Sequence, residues 1–326
     1  MRYVRLGDTT LTVPVLILGC GNFNGIGSTP ELFGKGENEV GAFAVMDRAL
    51  ELGITMFDTA NSYGGGYSEE WVGQWMAERG TREEIIVTTK VGNRVGDQPG
   101  DFGLSRRHIV EQVEKSLRRL RTDRVDLYLT HAPDPSTPVA ETVGAFGELV
   151  RVGKIRHYGL SNFSAEEIER AITAADELGV ARPANVQDLF NLLDRTSSAG
   201  VTEVCARRGV GFTAYSPLAG GWLTGKYRAG QPFPEGSRMT LLPGEYAHLT
   251  AESTFRALER LQSHAASLGL SLPTMALAWA LGEPAVTSLV AGPRSPEQLT
   301  RMSEAADISL TPADRAEIAA IAATGR

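Results

Sequence analysis

The sequence predicts an α/β fold, a single (β/α)8 TIM barrel over residues 1–326 with an N-terminal β-hairpin and long loops at its C-terminal face. Three observations carry that prediction. Eight short apolar or β-branched runs alternate with amphipathic helical patterns almost to the end of the chain. Both faces of those runs are largely apolar, as in parallel strands covered by helices on one side and a packed barrel interior on the other. No linker and no repeat of 20 to 50 residues divides the chain, and barrels of this kind reach this length as one domain.

The elements follow in order. The opening YVRLGDTTLTVPVLILG alternates apolar residues around a turn-prone GDTT, which predicts a short hairpin. Strands are expected at VLILGC (15–20), TMFDTA (55–60), EIIVTTK (84–90), VDLYLTHA (125–132), IRHYGLS (155–161), ANVQDLF (184–190), GFTAYSP (211–217) and VTSLVAG (286–292). Between them, ENEVGAFAVMDRALELG ends on Gly53, SAEEIERAITAADELG opens with the Ser164 to Glu167 spacing of a capping box, and SPEQLTRMSEAA places Pro296 in its first turn. PTMALAWAL (273–281) reads as the core of an extra helix. The Gly- and Pro-rich segment 218–248 is too long for an ordinary connection and reads as a functional lid.

Composition narrows the function classes. With 42% hydrophobic and 22% charged residues the chain has material for a large core. The net charge is −7, and basic residues alternate with acidic ones, as in SRRHIVEQVEKSLRRLRTDR, so neither a nucleic-acid footprint nor a polybasic membrane patch is expected. Cys20 and Cys205 stand far apart without metal-ligand spacing, so no metal site is expected and a reducing, cytoplasmic compartment fits. The N-terminus carries no apolar stretch of signal-peptide length, and no segment approaches the ~20 apolar residues of a membrane span.

In such a barrel the carboxyl ends of the strands share the face that carries the site. There the second strand delivers Asp58 with Tyr63 just beyond in GITMFDTANSYGGGYSEEWVG, the third ends on Lys90 and the fourth on His131. Each alone has an ordinary structural explanation; one barrel register puts all four on one rim. Lys90 is one of only five lysines in an arginine-rich chain, which points to a need for a compact ammonium.

These stretches, with VTTKVG, SLRRLRTDRVDLYLTH, GKIRHYGLSNFS, AYSPLAGGWLTGKY and AGPRSPEQL, resemble the aldo-keto reductases over nearly the whole chain and in the family's order. LTGKY resembles the bacterial and potassium-channel β-subunit-like branch. The resemblance implies that Tyr63 donates a proton to a substrate carbonyl, that Lys90 lowers its pKa while paired with Asp58, and that His131 orients and polarises the carbonyl. It implies NADPH/NADP+ as cofactor. Ser161 and Asn162, with Gln187, correspond to the residues on the nicotinamide carboxamide, and Tyr215 to the aromatic stacked on its ring. Ser216, Leu218, Gly220 and Lys226 would wrap the pyrophosphate. Gly292, Arg294 and Gln298 mark the adenosine end, with Arg294 clamping a 2′-phosphate and favouring NADPH over NADH. Met302 departs from the pattern, standing where the family often has an asparagine facing adenine.

GCGNFNG (19–25) lacks the spacing and the following helix of a dinucleotide fingerprint. Its Gly21 and Asn22 are expected instead beside the nicotinamide. Phe23 and Trp222 are candidates for the substrate side, Trp222 equally as an anchor of its own loop. The expected reaction is NADPH-dependent reduction of an aldehyde or ketone, including a sugar or deoxysugar carbonyl, or the reverse oxidation of an alcohol, by a monomer or homo-oligomer. Two alternatives are a Schiff-base aldolase using Lys90 and a nucleotide-sensing β-subunit.

Overall fold

The computed structural model describes residues 1–98, 100–195 and 200–324. A two-stranded antiparallel hairpin, β1 (Tyr3–Arg5) and β2 (Thr12–Pro14), precedes eight parallel strands: β3 (Leu16–Gly19), β4 (Met56–Asp58), β5 (Ile86–Val91), β6 (Val125–Thr130), β7 (Ile155–Ser161), β8 (Asn185–Leu189), β9 (Gly211–Tyr215) and β10 (Ser288–Ala291). These eight close into a barrel in sequence order, with β10 returning to β3. The helices are α1 (Glu39–Glu51), α2 (Tyr67–Arg79), α3 (Arg106–Arg119), α4 (Val139–Arg151), α5 (Ala165–Leu178), α6 (Val201–Arg208), the short α7 (Arg238–Leu241), α8 (Glu252–Ser267), α9 (Leu272–Leu281), α10 (Pro296–Ser303) and α11 (Pro312–Ala323). None of the described helices is long and apolar enough to cross a membrane.

Local chemistry starts the helices where the sequence places them. Asn38 accepts the Gly41 N–H at 2.9 Å before α1, the Ser164–Glu167 capping box opens α5, and the Ser295 side chain caps α10 ahead of Pro296. Gly53, after α1, takes φ +73°, where a glycine has no Cβ to clash.

The period of two along each strand decides what reaches the site. Leu16, Leu18, Phe57, Val87, Tyr128, Leu160, Val186, Phe212 and Leu289 point outward and pack under the helices in the main core. Ile17, Met56, Leu127, Leu129 and Val290 point inward and form a second cluster inside the barrel, closed at its base by Leu6 and Val13 of the hairpin. Continuing the inward set toward the strand ends arrives at Asp58, Lys90, His131, Ser161, Gln187 and Tyr215. The register keeps these neighbours level: Asp58 pairs with Thr88, Lys90 with Leu129, and Ser161 with Gln187.

Most strand ends differ from the expectation by one or two residues, and two of these bear on the site. β5 runs on to Val91, so Lys90 is its penultimate residue, and β6 stops at Thr130, so His131 is the first residue past it. The ladder nonetheless continues, because the His131 N–H donates to the Val91 carbonyl at 2.7 Å.

Candidate active site

A buried polar chain runs up the barrel axis. Gln187 Nε2 donates to Asp58 Oδ2 at 2.8 Å, and the other carboxylate oxygen accepts a short bond from Lys90 Nζ. Lys90 also donates to the Thr59 carbonyl at 3.0 Å and to Tyr63 Oη at 3.3 Å, so its three N–H donors all have partners. Its side chain is 1% exposed. Tyr63 Oη lies 3.5 Å from His131 Nε2, with the two rings edge to face. Three polar atoms from three successive strand ends therefore converge at the mouth.

The loop between β4 and α2 places the tyrosine. Gly64, Gly65 and Gly66 take φ of +55°, +71° and +99°, and a Cβ on Gly64 would lie 2.5 Å from the Phe23 carbonyl. Only glycine lets the chain turn this tightly against the β3 loop. Gly21 lies against the Tyr63 ring, where a Cβ would approach it to 3.5 Å.

Burial sets the charge states. Desolvation pushes the Tyr63 phenol up, and the neighbouring Lys90 ammonium pulls it back without overcoming that effect. The net direction is opposite to the lowering expected from the lysine alone. Burial works to neutralise Lys90 too, but attraction to Asp58 and Tyr63 outweighs it and the ammonium is held more tightly than usual. Burial, then repulsion from Lys90, pushes the His131 imidazole well down, so it is neutral at pH 7. Its Nδ1 is buried without a hydrogen-bond partner among the described residues.

Other expected residues line the same face. Asn162 and Ser216 occupy the left-handed region at φ +62° and +51°. Asn162 donates to the His131 carbonyl at 2.8 Å and accepts from Tyr215 Oη at 2.7 Å, joining the ends of β7 and β9 across the mouth. Both ends of its amide thus have protein partners, as does the Gln187 amide N–H group on Asp58. Asn22 donates to the Gly292 carbonyl at 3.0 Å, and Gln298 accepts the Arg294 backbone N–H at 2.9 Å. Leu218 is buried, its side chain in the core.

The two residues considered for the substrate side are buried side chains. Phe23 and Trp222 are both 0% exposed. Trp222 packs against Tyr227, Phe233 and Phe255, with ring centroids 4.9, 6.1 and 5.3 Å away, so of its two expected roles the structure selects the loop anchor. Ser62, next to Tyr63 in the chain, joins Ser28 and Asn93 in a hydrogen-bonded cluster. The two hydroxyls are 2.7 Å apart and Asn93 Nδ2 donates to Ser28 at 3.3 Å.

Sequence reasoning missed Arg238. Its guanidinium donates to Asn22 Oδ1 at 2.7 Å, while Nη1 is buried without a partner among the described residues. Burial and the proximity of other cations weaken the hold of Lys226 and Arg238 on their protons: Lys226 feels Arg238 and Arg294, and Arg238 feels Arg294. Beside them Gly220 and Gly221 take φ of +60° and +98°, and a Cβ on either would strike Tyr246 or Lys226 within 2.5 Å. Lys226, Arg238 and Arg294 thus lie near enough to repel one another, and Lys226 sits against the Gly221 backbone.

A sequence model described as the Aldo/keto reductase family matches residues 16–323. The chain belongs to the aldo/keto reductase family. Among its relatives, an uncharacterized oxidoreductase YrpG of Bacillus subtilis is 36% identical, over 95% of this chain and 92% of its own. A probable voltage-gated potassium channel subunit beta of Oryza sativa subsp. japonica is 35% identical, over 94% and 92%. The L-glyceraldehyde 3-phosphate reductase of Escherichia coli K12 is 33% identical, over 92% and 86%. Membership of the aldo/keto reductases, with oxidoreductases among the relatives, makes this protein an oxidoreductase of the carbonyl-reducing class.

Proposed function

We propose that the protein reduces a small, polar aldehyde or ketone to an alcohol with NADPH, using Tyr63 as the proton donor. The observation that carries this reading is the convergence of Tyr63 Oη, Lys90 Nζ and His131 Nε2 above a buried Asp58. A reduced nicotinamide, when bound, supplies the hydride. Lys226, Arg238 and the Gly220–Gly221 turn are suited to its pyrophosphate, Tyr215 to its ring, and Arg294 to a 2′-phosphate.

The protein's own groups handle the proton. As negative charge grows on the carbonyl oxygen, Tyr63 Oη gives up its proton and the new O–H bond completes the alcohol. Lys90 stabilises the phenolate left behind, and Asp58 keeps Lys90 charged and in place. His131, in the Nε2–H tautomer, donates a hydrogen bond to the same oxygen, a fixed dipole aimed where charge develops. A firmly protonated Lys90 is a poor amine nucleophile, which counts against a Schiff-base aldolase.

The half-buried Ser28 and Asn93 are suited to hydrogen-bond a hydroxylated substrate, and the name of the Escherichia coli relative points to a small hydroxyaldehyde for that protein. Sugar and deoxysugar carbonyls belong to the same chemical class. Two buried free cysteines fit the reducing cytoplasm as its compartment.

The deciding experiment compares wild type with Tyr63→Phe, following NADPH binding by tryptophan fluorescence and NADPH oxidation with short aldehydes, ketones and aldoses. The variant is expected to bind NADPH normally and to lose about 10²–10⁴-fold in turnover. Full turnover in Tyr63→Phe would remove Tyr63 from its role. Tight nucleotide binding without turnover of any carbonyl would favour a nucleotide-sensing regulatory subunit instead.

A further inference from the structure

Arg294 already holds an anion of the protein's own. Its Nε donates to Glu37 Oε1 at 2.7 Å and its Nη1 to the Gly236 carbonyl at 3.2 Å. The pair is asymmetric: the arginine side chain is 44% exposed but the glutamate only 18%. Glu37 is also fixed by its backbone, donating to the Asn22 carbonyl at 2.7 Å and accepting from Asn24 N–H at 2.9 Å. The carboxylate is thus a placed group, and through Arg294 it joins the loops after β3, β9 and β10.

We propose that Glu37 is a coenzyme-specificity residue that competes with a 2′-phosphate for Arg294; the inference rests on the nucleotide reading above. A 2′-phosphate engaging the guanidinium with two bonds must take the Nε edge from Glu37 or sit beside a like charge. A ribose 2′-hydroxyl has neither problem, because it can donate to the carboxylate while the ion pair stays closed. Arg294 therefore favours NADPH and Glu37 opposes that preference, so the free protein discriminates between NADPH and NADH less than Arg294 alone would make it.

The test measures dissociation constants for NADPH, NADH, 2′,5′-ADP and 5′-AMP by calorimetry with wild type, Glu37→Gln, Arg294→Ala and the double variant. Glutamine keeps an oxygen that can accept from Arg294 Nε, and a melting curve checks that the fold is retained. Glu37→Gln is expected to tighten NADPH and 2′,5′-ADP about five- to tenfold, with NADH and 5′-AMP changed less than about twofold and the gain shrinking in high salt. The gain should vanish in the Arg294→Ala background. Equal changes for both coenzymes, or a gain that persists without Arg294, would overturn the role of Glu37 while leaving the reductase reading intact. Failure of wild type to bind either coenzyme would overturn both.

Discussion

Tyr63 is subject to two influences of opposite sign, and burial is the larger. The consequence suits a reductase. A phenol held above its ordinary pKa of about 10 stays protonated through the neutral range and is ready to donate. The same shift hinders the reverse reaction, which needs the phenolate to take a proton from the alcohol. His131 adds no limb near neutrality, because burial and Lys90 keep its imidazole neutral well below the usual histidine range. For carbonyl reduction, kcat/KM is therefore expected to be flat from about pH 6 to 9 and to fall only as Tyr63 ionises, whereas alcohol oxidation rises with pH across that range. Initial-rate profiles in both directions check this. A reduction profile that falls around pH 7 would mean that Lys90, not burial, dominates the phenol.

At the scale of elements, the segment after β9 folds as a unit around Trp222. Its aromatic neighbours Tyr227, Phe233 and Phe255 bury the indole, and the Gly220–Gly221 turn brings Lys226 beside the backbone. Gly220 has no tolerance for a side chain. A methyl there would meet the Tyr246 ring at 2.3 Å, at a φ of +60° that disfavours alanine. Gly220→Ala is expected to displace Tyr246 and the turn, at a cost of about 1–3 kcal/mol, and to weaken NADPH binding tenfold or more. Fluorescence titration and limited proteolysis of the 218–249 segment check it, and unchanged NADPH affinity would separate this turn from the pyrophosphate.

That segment also marks the boundary of what the sequence reveals. Asp58, Lys90 and His131 were legible because a strand's period of two and the parallel order fix where inward residues end. Arg238 and Glu37 were not, because each sits in a long irregular loop whose path is set by contacts with other loops. The two readings of Trp222 needed tertiary packing to separate them. The charge partners of Tyr63 could be read from strand ends, but its burial could not, and burial decides the direction of its shift.

The whole molecule separates stability from chemistry by placing them at opposite ends of one barrel. At the base, Leu6 and Val13 of the hairpin plug the interior against Ile17, Met56, Leu127, Leu129 and Val290. The plug is tied to the bottom of the barrel: Asp8 N–H donates to the carbonyl of Gly209, just before β9, at 2.8 Å and Ser288 Oγ, at the start of β10, to the Pro14 carbonyl at 2.7 Å. At the top, the polar chain from Gln187 to Tyr63 replaces the apolar filling. Leu6 is fully buried and faces the start of β9, where a Cβ on Gly211 would lie 2.6 Å from it. Leu6→Ala leaves a cavity at that base and is expected to cost about 2–5 kcal/mol. The cavity lies at the opposite end of the barrel from Tyr63, so kcat and KM at 25 °C should stay within about twofold of wild type while the protein remains folded. Urea unfolding and initial rates on the same preparation test the separation. A loss of kcat that tracks the loss of stability would show that the hairpin supports the geometry of the mouth through the barrel, and that the two ends are one mechanical unit.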